Sequence, residues 1–269
     1  MQKWQDTFEA GVYDKQRFLP RTTSKMRMYG QGNIRKMGTF SGATWTTSDD
    51  GTLGPGTFQS GSPSVVTLVP AWLGVPTAFP DSLEFVAGEN VDPAYADGVE
   101  AALAAYIESQ FLQDVASLTA NIGNGAYDID KAGWDAASAQ LDNAAKVLAE
   151  LEGGAQVYGI LGKLQKDDLM NVEQFTHADV RGDGQNPSVS GVISKGDGVN
   201  VNFSTLLYSD ANGLHGCMWI PTAFAYFYNK KPSVERQRYL KQNRILADAH
   251  FAHNIVHNAR AIDIRTKAA

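Results

Sequence analysis

Two stretches decide how this chain is read: Gly38–Pro63, GTFSGATWTTSDDGTLGPGTFQSGSP, and Pro93–Leu118, PAYADGVEAALAAYIESQFLQDVASL. The first is Gly, Ser, Thr and Pro with Trp45, Leu53 and Phe58 set into it, and it lacks any apolar period that would let it fold alone. Strand-like segments bound it, so the expectation is a long hairpin that needs a surface from outside the chain. The second begins at a proline, favoured in a first helical turn, and carries Val99, Leu103, Ile107, Phe111, Val115 and Leu118 at spacings of three and four. A helix over that range is roughly 39 Å long at 1.5 Å per residue. Half of the polar run, extended at roughly 3.3 Å per residue, reaches a similar distance. Both parts are long for the rest of the molecule.

With 269 residues the chain can bury a substantial core, as one irregular domain or two closely joined ones. No apolar run approaches the roughly eighteen residues of a membrane span, and MQKWQDTFEAG lacks the layout of a secretory signal, so no membrane partner is expected. Cys217 is the single cysteine. It cannot form an intrachain disulfide, and within Leu214–Ile220 it reads as a small buried apolar residue. The net charge of −6 divides unevenly: residues 1–40 hold eight Lys and Arg against three acids, residues 41–152 two against sixteen, and residues 153–269 thirteen against ten. A basic arm therefore precedes an acidic waist. Between identical copies, such an arm on a neighbour's waist would steer association and set register.

Residues 1–36 show no helical or strand period and read as an extended arm. Val65–Leu73 reads as a strand, which Pro70, Pro76 and Pro80 confine to an edge or break. After the turn at Gly123, Asn124 and Gly125, Asp130 is an expected N-cap for a second helix, Lys131–Leu151, which Gly153 and Gly154 end. Gly159–Met170 reads as a short helix, and Ser188–Ile193, Val199–Phe203 and Leu214–Ile220 as strands. Val234–Leu246 and Phe251–Ile264 read as long closing strands.

Few residues are grouped for chemistry. His250, His253 and His257 would share one face of a helix and could bind zinc in a metal-dependent enzyme, but their surroundings favour a strand, on which they diverge. Asp179–Gly184, DVRGDG, lacks the carboxylate spacing of a calcium loop. No dinucleotide or P-loop glycine pattern occurs, no serine elbow occurs, and Asp49, Asp50, Asp167 and Asp168 read as solvated charge. Neither a catalytic residue nor a cofactor is expected. Lys15, Arg17, Arg21, Lys25 and Arg27, interleaved with aromatics, could contact phosphates without reading sequence, or dock on the acidic waist of a neighbour.

The order of parts, from basic arm and extended polar loop through strand, long helix, second helix and β-rich segment to the ending AFAYFYNKKPSVERQRYLKQNRILADAHFAHNIVHNARAIDIRTK, resembles the major capsid proteins of tailed bacteriophages. These share their shell fold with encapsulins and the herpesvirus capsid floor. The resemblance spans nearly the whole chain and rests on element order, with no short invariant motif. It implies an α+β fold: an N-terminal arm (1–36), an extended loop (37–66), a peripheral domain with a spine helix (67–118 and 233–250) and an axial domain (119–232 and 251–269). It further implies a non-enzymatic shell subunit, assembled in the host cytoplasm as hexamers and pentamers into an icosahedral capsid around double-stranded DNA. Trp45, Leu53 and Phe58 would be its inter-subunit loop contacts. A portal is an implied partner, and a cement protein is left open. The short arm implies a separate scaffold protein, and the loop's lack of lysine a shell without loop crosslinks. An encapsulin-like protein container is the near alternative, and a tail or baseplate component a further one.

Overall fold

The computed structural model describes residues 8–12, 15–16, 28–29, 35–41, 62–80, 92–141, 157–163, 165–170, 195–196, 199–239 and 242–268. The elements are β1 (Met28–Tyr29), β2 (Arg35–Ser41), β3 (Ser62–Leu68), β4 (Ala71–Pro80), α1 (Asp92–Gln113), β5 (Asn121–Ile122), α2 (Lys131–Leu141), β6 (Val157–Gly162), a short helix (Gln165–Met170), β7 (Lys195–Gly196), β8 (Val199–Ser204), β9 (Ser209–Asp210), β10 (Gly213–Trp219), β11 (Phe224–Tyr239), β12 (Gln242–Ile255) and β13 (Ala261–Thr266).

The helix α1 follows its apolar spacing. All six stripe residues, Val99, Leu103, Ile107, Phe111, Val115 and Leu118, are buried, together with Ala96, Ala104 and Leu112. The α-helix ends at Gln113, earlier than expected, and tightens into a 3-10 turn over Asp114–Ser117 that still buries Val115. At 22 residues it is about 33 Å long. It lies over β4 and β12, the edge and centre of a sheet ordered β11-β12-β4. Along β12 the side chains of Asn243, Ile245, Ala247, Ala249 and Phe251 are buried while Gln242, Arg244 and Leu246 are exposed, the period of two that a one-sided sheet requires. Leu73 pairs with Ala249 and Val75 with Ala247, so β4 adds to the same buried face.

Among the described residues, the other face of this sheet is covered at one end. There Leu68 and Val66 of β3 pack on Ala225, Phe227, Ala252 and Val256. The strand β3 is half of a hairpin with β2, in register from Arg35–Leu68 to Ser41–Ser62, which is the stem of the expected loop. Its tip, with Trp45, Leu53 and Phe58, lies outside the described residues. The expected strand Val65–Leu73 divides at Val69–Pro70, and the proline-bearing β4 takes the edge position the prolines dictate.

The second layer is a sheet ordered β5-β13-β10-β6-β8-β7, with β9 on β10. The helix α2 buries Trp134, Ala137 and Leu141 against Met218, Ile220, Ile262, Ile264, Leu161, Val199 and Val201 of this sheet. The amide of Gly133 donates to Asp130 Oδ1 at 2.7 Å, the expected N-cap. Gly125, at φ 73, holds the preceding turn where a Cβ would strike the carbonyl of Asn212. This helix is described as far as Leu141; residues 142–156, and the expected strand Ser188–Ile193, lie outside the described residues.

Three expectations are corrected. Gly159–Met170 is not one helix: Val157–Gly162 is the strand β6, parallel to β8 and antiparallel to β10, and only Gln165–Met170 is helical. A continuous apolar run buried on both faces of a sheet has no period that separates it from a helix. Residues 1–36 are not uniformly extended: residues 8–12 are helical, Phe8 and Val12 are buried in the α1 core, and Met28–Tyr29 pairs with β2. Gly11 permits this docking, because a Cβ there would meet the Glu100 carboxylate. The closing strands are shifted, since β11 and β12 pair from Phe224–Ile255 to Tyr239–Gln242 and Val256–Arg260 separates them from β13.

Candidate assembly surface

The exposed part of the long-strand sheet is built from alternate residues of β4, β11 and β12. Trp72, 63% exposed, stacks on His250 with ring centroids 4.6 Å apart. The Lys230 ammonium stands 5.4 Å from the Trp72 ring centroid and donates to both Asp248 carboxylate oxygens at 2.7 and 2.8 Å. Ser233 also donates to Asp248. These contacts hold the indole in place while much of its surface stays open. Farther along, Pro76, Ala78, Gln237, Gln242, Arg244 and Leu246 line a groove of about 400 Å³. Val65 on β3 and Val69 just beyond it are further exposed apolar side chains, 53% and 63% exposed. An aromatic and aliphatic strip with a polar rim suits docking by apolar side chains of an extended segment. The prolines of β4 thin the backbone donors at that edge, so the face offers more than the edge does.

The arm is tied to the same body. Lys15 Nζ bonds Glu100 Oε2 of α1 at 2.6 Å, Gln16 donates to the Tyr228 hydroxyl at 3.1 Å, and Glu9 pairs with Lys231 at 2.8 Å. Lys15, expected to reach a neighbour or DNA, is thus engaged by its own helix. Arg17, Arg21, Lys25 and Arg27 lie outside the described residues.

The histidines do not converge. His250 and His253 lie on β12, three residues apart and so on opposite faces, and His257 lies beyond the strand. His253 Nδ1 is 2.6 Å from Asp114 at the end of α1, and its ring stacks on Phe251. Among the described residues no group of three His, Cys, Asp or Glu is placed to hold a metal. Cys217 is buried, and burial, aided by the Asp263 charge, pushes its thiol well above the usual range.

One constellation has no short-range signal in the sequence. His215 on β10 and Asp263 on β13, both buried, are diagonal neighbours across the strand pair, His215 standing opposite Arg265, with His215 Nδ1 3.0 and 3.1 Å from the two carboxylate oxygens. His215 Nε2 is 3.0 Å from Asp210 Oδ1, and Arg265 Nε donates to Asp263 Oδ2 at 2.8 Å. The four residues come from three strands and are brought together only by pairing.

No protein-family model matches the sequence, and no curated protein matches it significantly. Solved structures do match. The structure titled Mycobacterium phage Che8 is 18% identical, with a TM-score of 0.60 over 87% of this chain and 85% of that one. The capsid of Cyanophage P-SCSP1u is 13% identical, with a TM-score of 0.66 over 90% and 86%. This chain has the α+β phage major-capsid fold. A virus-like particle from Pyrococcus furiosus is also similar, 10% identical, with a TM-score of 0.62 over 98% of both chains. Within this capsid fold, Trp72 follows closely on β3 of the β2–β3 stem from which the polar run departs, and Leu246 lies farther along the same sheet, paired with Pro76.

Proposed function

We propose that the protein is a structural capsid subunit that self-assembles into an icosahedral shell enclosing double-stranded DNA. The observation that carries this reading is the capsid fold matched over nearly the full length, joined to an exposed apolar strip on the long-strand sheet. In this reading α1 is the spine helix and forms the peripheral domain with the long-strand sheet, while the seven-stranded sheet forms the axial domain. The polar run is the extended loop, and its Trp45, Leu53 and Phe58 seat on the Trp72–Leu246 face of the next copy. Each copy meets several others in pentamers and hexamers, so modest contacts multiply through avidity. Arg17, Arg21, Lys25 and Arg27 reach a neighbour's acidic surface or the packaged DNA. A separate scaffold and a portal complete the assembly, which takes place in the host cytoplasm and ends in the virion capsid.

Deleting residues 42–61 tests the reading. The expected product is a folded, soluble subunit that closes no shells, seen by electron microscopy beside the intact chain. Normal particles from the deletion would overturn the role given to the loop. A second reading, a protein container, is favoured by the 98% mutual coverage with the Pyrococcus furiosus virus-like particle. Nuclease-protected DNA inside purified particles supports the first, and a protein cargo the second.

A further inference from the structure

We infer that Asp210, His215, Asp263 and Arg265 form an ionic clamp that fastens the hairpin tip 208–212 to the seven-stranded sheet only while His215 carries both ring protons, making the attachment pH-dependent. Among the described residues, the tip's other attachments are the packing of Asn212 on Gly125, the Tyr208 ring beside His215 and a few backbone bonds. The strand β9 meets β10 through Asp210–Gly213 and Ser209–Leu214 alone, with one further bond from His215 N to Tyr208 O at 2.9 Å. Residues 208–212 are all exposed, whereas Leu207 before them and Gly213 after them are buried. Within the tip, Asn212 donates to Asp210 through its amide at 2.6 Å and its side chain at 3.2 Å. Asp210 is therefore the residue through which the tip's own polar bonds join the sheet.

The proton count follows from geometry. A neutral imidazole has one N–H, yet both ring nitrogens of His215 stand at hydrogen-bond distance from carboxylates. Only the doubly protonated ring donates to both. Arg265 already balances the buried Asp263 charge, and an imidazolium would in addition balance Asp210, which is partly exposed. Among the described residues, the titratable and charged groups nearest His215 are Tyr208 and Asp210 from the tip, and Asp263 and Arg265 from β13, with Cys217 opposite Asp263 on β10; Tyr158 of β6 packs farther along β10 on Trp219, and Tyr127 and Lys267 meet beyond the end of β13.

The clamp opens in both directions of pH. The His215 hydrogen bond, more than the Asn212 bonds, holds the Asp210 carboxyl below its ordinary value. A depressed carboxyl contributes stability above its ordinary value and loses it as pH falls through the folded one. On the alkaline side, a His215 ring with a single N–H puts a lone pair against one carboxylate, which weakens the hold on the tip to its backbone bonds and packing.

Hydrogen exchange of the full-length protein, corrected for intrinsic rates and followed in peptides covering 204–213, tests this between about pH 5 and pH 9. Wild-type protection is expected to fall at least about threefold toward the alkaline end, while His215→Gln is low and flat and α1 is unchanged in both. A flat wild-type profile, or a His215→Gln profile like the wild type, would overturn the clamp. If His215→Gln also loses protection in α1, Asp210→Asn is read instead, since it leaves the buried Asp263–Arg265 pair in place. It is expected to lower and flatten the profile, and a wild-type profile would overturn the proposal.

Discussion

The two sheets use charge in opposite ways. On the long-strand sheet the pair Lys230–Asp248 sits on the outer face, partly solvated, and the buried face against α1 is held by apolar side chains. On the seven-stranded sheet the apolar layer of Trp219, Cys217 and Ala261 gives way at one end to the buried group around His215 and Asp263. A solvated pair can be lost cheaply, whereas breaking a buried group strands a charge in a dry site. The difference locates stability in one place and conditional attachment in another.

The largest effect expected from this contrast is at Asp263. Asp263→Ala should lower unfolding stability by about 3–5 kcal/mol in denaturant titration, and a loss under about 1 kcal/mol would mean the buried group is not ionised. Leu103→Ala, in the apolar seam of α1, should cost about 2–5 kcal/mol, with the slope of the transition unchanged. Asp130→Ala removes the α2 cap and should cost about 1 kcal/mol. Lys230→Ala should cost less than about 1 kcal/mol, and a cost as large as that of Asp263→Ala would erase the contrast between the sheets. Smallest in energy but plain to see, boiled and denatured particles should run as single subunits, because Gly38–Pro63 contains no lysine to crosslink.

The parts legible in the sequence were those with a local signal. The stripe of α1 repeats often enough to specify a helix, Asp130 stands where a cap belongs, and the prolines flag an edge strand, although the strand expected over Val65–Leu73 divides and the edge is β4 with Pro76 and Pro80. The rest depends on distant partners. Phe8 and Val12 are one turn of apolar residues, too short to read as a helix until α1 and β11 supply the surface they cover. The exposed Leu246 follows the buried Ile245, and two adjacent aliphatic residues do not say which faces the core. His215 and Asp263 are 48 residues apart, and only the register of β10 with β13 brings them together.

That this chain builds a closed assembly of identical copies through its long loop and exposed sheet face is tested most directly by electron microscopy of the purified full-length chain across a concentration series. Rings of five and six copies or closed shells are predicted, and a chain that stays monomeric at every concentration would contradict it.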